Sequence, residues 1–269
     1  MTSNPTQTNS AIQNPAAYQP KRAVVTGASS GIGAASVRAL RADGWDVVAV
    51  ARREDRLAAL AEETSCEYVV ADLLSQESVT SAAAKIMEDG PVDALVNNAG
   101  GAFGVDRVDS ADLNKWAHMY ELNVLGTFRM TQALLPALRS QPSASIVVVT
   151  STAAHEPYEG GGGYVAAKYA ERVAARTLRL ELVGEPIRVI EIAPGMVHTE
   201  EFSLNRLAGN QQAADAVYEG VTHPLLAPDV AEAVRWTLGL PAHVNIDSLV
   251  VRPVAQGGAT KLHREAPKN

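Results

Sequence analysis

Tyr164 and Lys168 stand four residues apart in Tyr164-Val165-Ala166-Ala167-Lys168, a spacing that puts a phenol and an ammonium on one face of a helix. A nearby ammonium stabilises phenolate, lowering a tyrosine pKa from its ordinary value of about 10 towards working pH. Such a phenol can exchange a proton with an alcohol or carbonyl oxygen. The same pair also occurs on plain helix surfaces, so its meaning depends on its company. Ser151 lies thirteen residues earlier, just past a β-branched run, where its hydroxyl could hold the same substrate oxygen. Asn123, in Leu122-Asn123-Val124-Leu125-Gly126, is a polar residue inside a long helical stretch and needs a reason to be there.

A second constellation is suited to a nucleotide. Thr26-Gly27-Ala28-Ser29-Ser30-Gly31-Ile32-Gly33 follows the run ending at Thr26 and leads into a helix through Val37 and Leu40. Glycines there permit a tight turn and let backbone N–H groups approach a pyrophosphate at the helix N-terminus. The plain alternative is an ordinary glycine-rich turn. At the end of the next run, where an NAD site places a carboxylate for the ribose, this chain has Ala51 followed by Arg52 and Arg53. Guanidinium groups suit a 2′-phosphate, which favours NADP over NAD. A solvated basic start to the following helix is the other account, more readily for Arg53. Asp72 and Leu73 follow the third run, where the carboxylate could meet the adenine amino group or simply cap a helix. Asn97-Asn98-Ala99-Gly100 follow the fourth.

The elements that must position these groups alternate along the chain. Short β-branched runs at 23–26, 46–50, 67–70, 92–97, 145–150 and 187–192 are each followed by a helical stretch, and 247–251 reads as a seventh strand. Gly44 and Gly184 mark helix ends, Ser75 and Ser110 are candidate caps, and Pro228-Asp229 open another helix. This alternation predicts βαβ units and a single-domain α/β doubly wound parallel sheet with helices on both faces. Residues 1–20, with three prolines and no charge, read as an arm that is flexible or packed on a partner subunit; 21–269 read as one domain.

Composition narrows the function classes. In 269 residues, Lys plus Arg total 23 and Asp plus Glu 30, a net charge of −7 that disfavours nucleic acid as a partner. Cys66 is the one cysteine, which suits a reducing cytoplasm and a small buried strand residue. No apolar run approaches a membrane span and no secretory leader is read at the N-terminus, so no membrane partner is expected. The six histidines show no ligand spacing and no metal is predicted. Glu200-Glu201 read as a solvated face.

Taken in order, Thr26-Gly27-x-x-x-Gly31-Ile32-Gly33, Asn97-Asn98-Ala99-Gly100, Asn123, Ser151, Tyr164-x-x-x-Lys168 and Pro194-Gly195 resemble the short-chain dehydrogenase/reductase family over about residues 21–255. The resemblance implies a Rossmann-type sheet of seven strands, a nicotinamide cofactor and hydride transfer at a carbonyl carbon. It assigns Tyr164 as general acid/base and Lys168 as the group that tunes it and binds the nicotinamide ribose. Ser151 would polarise the carbonyl and Asn123 would hold a relay water. Pro194, Gly195, Val197 and Thr199 would support the nicotinamide.

Further segments, Glu201 to Arg206, Pro228 to Glu232 and Leu240 to Ile246, together with Arg52-Arg53, look like the NADP-dependent 3-hydroxy acid dehydrogenase branch, which includes serine and L-allo-threonine dehydrogenases. That implies a small 3-hydroxy acid substrate and a homotetramer, or a homodimer, paired through the helices bearing Asn123 and Tyr164. It also implies a substrate lid around 199–222, where Arg206 could anchor a carboxylate, be solvated or bridge subunits. A broad ketone or aldehyde reductase and an NADP(H)-sensing binding protein are the competing functions. One departure is the run Gly160-Gly161-Gly162-Gly163 before Tyr164, which predicts a loosely fixed substrate wall.

Overall fold

The computed structural model describes residues 21–265; the expected arm at 1–20 lies outside the described residues. Strands β1 (Arg22–Thr26), β2 (Asp46–Ala51), β3 (Glu67–Val70), β4 (Ala94–Asn97), β5 (Ala144–Val149) and β6 (Ile187–Pro194) alternate with helices. The helices are α1 (Gly31–Ala42), α2 (Glu54–Thr64), α3 (Gln76–Asp89), α4 (Leu113–Tyr120), α5 (Gly126–Arg139) and α6 (Gly162–Glu181). There follow a two-residue strand β7 (Val197–His198), α7 (Phe202–Arg206), α8 (Gln211–Ala216), its partner strand β8 (Leu225–Leu226), α9 (Ala227–Gly239) and β9 (Ser248–Val251).

Seven strands pair in parallel in the order β3-β2-β1-β4-β5-β6-β9, as the βα alternation predicts. β1, β4, β5 and β6 are buried along their whole length, which is why they read as continuous apolar runs rather than alternating ones. One face buries Val25, Val47, Val96 and Ile190 under α1, α2 and α9; the other buries Val24, Leu95, Ile146 and Val189 under α3, α5 and α6. Each such aliphatic contributes about 1.5–3 kcal/mol on burial. Cys66 is buried with the first cluster. Ser75 caps α3, but Asp112 rather than Ser110 caps α4, its carboxylate accepting from Asn114 N at 2.9 Å.

Strand order reverses between β1 and β4, and the crevice beyond their carboxyl ends is where this topology collects ligands. The opposite edge is closed by buried arginines. Arg188 donates to the carbonyls of Thr237 and Leu238 in the last turn of α9, to those of Leu240 and Val244 just past it, and to Ser145 Oγ. Arg22 donates to the Ile86 carbonyl at 2.8 Å and pairs with Glu67 at 2.6 Å.

Candidate active site

The turn from β1 into α1 is stitched to the end of β4. Thr26 Oγ1 accepts from Asn98 N at 3.0 Å and Ala99 N at 3.1 Å, and Asn98 Nδ2 donates back to the Thr26 carbonyl at 3.1 Å. Gly27 has a φ of +65°, and a Cβ there would lie 2.8 Å from Ala99 Cα, so only glycine allows this approach. A Cβ on Gly33 would strike the Gly27 carbonyl. Ser30 precedes α1 without capping it, so the first N–H groups of the helix stay available to an anion.

At the end of β2 the two arginines differ. Arg52 is exposed and its side chain makes no hydrogen bond among the described residues, while Arg53 donates to Ser29 Oγ at 2.9 Å, Ser30 Oγ at 3.1 Å and both Glu201 oxygens at 2.6 and 2.9 Å. Arg53 is thus organised rather than a loose helix start. Glu201 is the surprise: instead of facing solvent, it lines the cavity and also accepts from Ser30 Oγ at 2.8 Å. The Arg53 guanidinium holds its carboxyl below the usual carboxylate range. Asp72 Oδ1 accepts from Leu74 N at 3.1 Å in a local turn, leaving the cap of α3 to Ser75.

Beyond the carboxyl ends of β4 to β6, Ser151, Tyr164 and Lys168 line the same cavity as the glycine turn, with a volume of ≈ 770 Å³. Ser151 Oγ accepts from Ala153 N at 3.1 Å and lies 3.5 Å from the Pro194 carbonyl oxygen. Tyr164 is edge-on to Phe202, ring centroids 5.7 Å apart, and Lys168 Nζ is 6.0 Å from its ring centroid. Asn123 is fully buried and does not line the cavity. It sits in a π-helical turn, Glu121–Leu125, between α4 and α5, and grips the loop after β4: Nδ2 donates to Gly101 O at 2.9 Å and Oδ1 accepts from Gly101 N at 3.1 Å, while Nδ2 also donates to Met119 O of α4 at 2.7 Å.

Pro194, Gly195, Val197 and Thr199 run along the cavity, and Gln256 Oε1 fixes this stretch by accepting from Met196 N at 2.8 Å. Arg206 reaches in from α7, its guanidinium 5.3 Å from the Tyr158 ring and 6.0 Å from the Tyr164 ring, with donors on the Gly104 and Gly160 carbonyls at 3.3 and 3.4 Å. Burial pushes the Tyr158 phenol up, against the pull of Arg206. The glycine run is not loose: Cβ atoms at Gly162 and Gly163 would fall 2.7 and 2.6 Å from Trp116, and one at Gly161 would enter the Tyr158 ring. Aromatic rings fill the space the missing side chains leave.

Sequence reasoning therefore missed Glu201, Tyr158, Phe103, Phe202 and Tyr218 as cavity residues. Glu201, Phe202 and Tyr218 left a trace, as residues of the segment expected to form the lid; Tyr158 and Phe103 left none. Among the described residues no group of three His, Cys, Asp or Glu is placed to hold a metal, and no helix is long and apolar enough to cross a membrane.

Known proteins align with this arrangement. The profile of the short chain dehydrogenase family matches residues 21–207. An uncharacterized oxidoreductase of Mycobacterium tuberculosis is 53% identical over 239 residues, 89% of this chain and 93% of the relative. Serine 3-dehydrogenase of Agrobacterium fabrum is 39% identical over 247 residues, 90% and 98%. The solved closed form of serine dehydrogenase complexed with NADP+ superposes with a TM-score of 0.85 at 36% identity, covering 91% of this chain and 100% of that one. A seven-stranded sheet with this strand order, a glycine cradle at its switch point and a family match over most of the chain lead to one assignment: the chain belongs to the short-chain dehydrogenase family of oxidoreductases acting on hydroxyl groups.

Proposed function

We propose that the protein is an NADP-dependent dehydrogenase of small 3-hydroxy acids or β-hydroxy amino acids, of the serine and L-allo-threonine type. The observation that carries this reading is the single cavity joining the glycine turn and Arg52-Arg53 to Ser151, Tyr164 and Arg206. Its residues fit a nicotinamide dinucleotide. Gly27 and Gly33 leave no room for side chains, the uncapped start of α1 suits a pyrophosphate, and Arg52 and Arg53 suit a 2′-phosphate. Ser29, Ser30, Gly31 and Ile32 would line the phosphate side, Asp72 and Leu73 the adenine side. Asn98, Ala99, Gly100, Pro194, Gly195, Val197 and Thr199 would line the ribose and nicotinamide side.

When bound, the nicotinamide supplies the hydride acceptor for oxidation and the donor for reduction. Tyr164 takes the alcohol proton, and in the reverse direction returns it to the carbonyl oxygen. Lys168 supplies the positive charge that favours phenolate, and Ser151 Oγ holds the reacting oxygen. Asn123 fixes the turn at Gly101 and keeps one lone pair on Oδ1 for a relay water. Arg206 offers the charge for a substrate carboxylate.

Initial rates with NADP and NAD in parallel, against L-serine, L-allo-threonine, 3-hydroxypropionate, 3-hydroxyisobutyrate and neutral ketones, test the reading. The expected result is NADP preference and the highest kcat/KM on a carboxylate substrate. Arg206→Ala should raise KM for that substrate about tenfold or more while neutral alcohols stay within about threefold. Faster turnover of neutral ketones would move the assignment to a broad ketone reductase, which the aromatic wall of Phe103, Tyr158 and Phe202 favours as the second reading.

The reading includes a homotetramer in the cytoplasm. Val173, Leu180 and Val183, exposed by 58, 71 and 77% in α6 and just past its end, support pairing through that helix, and the free thiol of Cys66 suits a reducing compartment. Light scattering that returned a monomer would remove the pairing.

A further inference from the structure

Lys168 has a second neighbour besides the phenol. Its side chain is 4% exposed, and Nζ donates to Glu171 Oε2 at 2.7 Å and to the Val149 carbonyl at 3.2 Å. Glu171 lies one helical turn further along α6, 1% exposed, and takes a second hydrogen bond on Oε1 from Thr127 Oγ1 of α5 at 3.2 Å. It does not line the cavity. An ammonium has three N–H donors, so one is left for the cavity side.

The other charged and titratable groups stand further from this nitrogen. Tyr158 and Arg206 flank the cavity side of the Tyr164 ring. From β6 comes Glu191, bonded to Thr150 Oγ1 at 2.8 Å and His155 Nε2 at 3.1 Å, with Arg172 Nε 3.4 Å away. On α4, His118 stacks against Phe103. Among the described residues, Glu171 is the one carboxylate in ion-pair contact with Lys168.

Burial works to strip the proton from Lys168, but the Glu171 carboxylate, with Tyr164, more than offsets it and holds the ammonium above its usual range. Burial also pushes the Glu171 carboxyl up, against Lys168 and Thr127. The two tendencies compete for one proton. With the proton on nitrogen, both carboxylate oxygens have donors to accept from, Lys168 Nζ at Oε2 and Thr127 Oγ1 at Oε1.

Removing one proton from the Tyr164 and Lys168 pair gives either phenolate with ammonium or phenol with free amine, two forms of equal net charge. Burial favours the uncharged form. We propose that Glu171, 2.7 Å from the lysine nitrogen, is a positioning residue that keeps Lys168 charged and so makes Tyr164 the group that ionises. The charge-separated form is the one able to accept a proton from an alcohol. This rests on the reading of Tyr164 as acid/base and extends it to a residue outside the cavity.

The test is the pH profile of kcat/KM for alcohol oxidation in wild type, Glu171→Gln and Tyr164→Phe, with the Kd for NADP measured by fluorescence on each. Glutamine keeps the size and an acceptor oxygen but not the charge. Glu171→Gln should bind NADP within about threefold of wild type and lose about tenfold or more of the kcat/KM plateau, with the ascending limb displaced downward, because a pair without its carboxylate gives up its first proton at lower pH and gives it up from the amine. An unchanged plateau, or a plateau that falls with the limb in place or displaced upward, overturns the inference. Full activity in Tyr164→Phe would instead overturn the reading of the phenol. If Glu171→Gln does not fold, Thr127→Val, which removes one donor from the carboxylate and so weakens its hold on the lysine proton, should lower the plateau by about two- to threefold; a profile identical to wild type there is equally fatal.

Discussion

At the amino ends of the strands, Arg188 is buried with no carboxylate in contact among the described residues; backbone carbonyls of the last turn of α9 and just past it, with Ser145 Oγ, surround its guanidinium. Burial holds its basicity below the ordinary arginine range, and the carbonyls at the end of a helix dipole compensate. At the carboxyl ends, Arg53 is two-fifths exposed and its partners are side chains of two separate segments, Ser29 and Ser30 before α1 and Glu201 before α7. A guanidinium enclosed by main chain is a fastening, because nothing can replace those carbonyls without unfolding. One held by mobile side-chain acceptors in a cavity can exchange them for a ligand. Residue type alone does not separate these roles; the nature of the acceptors does.

This contrast can be broken at either end, starting where the effect is largest. Tyr164→Phe should lower kcat/KM by about 100-fold or more while leaving the thermal midpoint and NADP affinity nearly unchanged. A variant that kept most of its turnover would refute the acid/base role. Arg188→Leu should do the converse: it strands several buried carbonyls, costs about 2–4 kcal/mol of stability, and leaves kcat near wild type in whatever remains folded. Denaturant melts paired with active-site titration check this. Arg53→Ala should raise KM for NADP by about 10- to 100-fold and leave NAD almost unaffected, read from the cofactor preference ratio.

The smallest effect concerns acid. Glu201 has its pKa lowered by Arg53, so its contribution is present above the ordinary carboxylate value of about 4.3 and is lost as pH falls through its lower folded value. The pair is partly solvated, so about 1 kcal/mol or less is at stake. Glu201→Gln should flatten the acid limb of the stability curve by that amount; an unchanged limb would mean the pair contributes nothing to folding.

Much of the sheet was legible because parallel strands buried on both faces leave uninterrupted β-branched runs, and seven were placed within a few residues. That Ser151, Tyr164, Lys168 and the glycine turn belong to one cavity was legible because they stand in motifs of fixed local spacing. Glu171 was not, since an acid three residues after a lysine on a helix is ordinarily a surface pair; its burial depends on α5 packing over it. The glycine run was misjudged for the same reason. Its close packing comes from Trp116 on α4, far from it in sequence, together with the neighbouring Tyr158 ring.

The π-helical turn at Glu121–Leu125 carries a consequence for how such a chain can change. One surplus residue is accommodated there, and an α-helix rotates by roughly 100° per residue. Deleting a single residue from this turn would let α4 and α5 fuse into one regular rod. The price would be phase: every side chain on one side would swing a quarter-turn or more, pulling the Asn123 amide off Gly101 or turning Met130 and Leu134 out of the core. Length variation within these helices is thereby forbidden, and must be sought in the connecting segments.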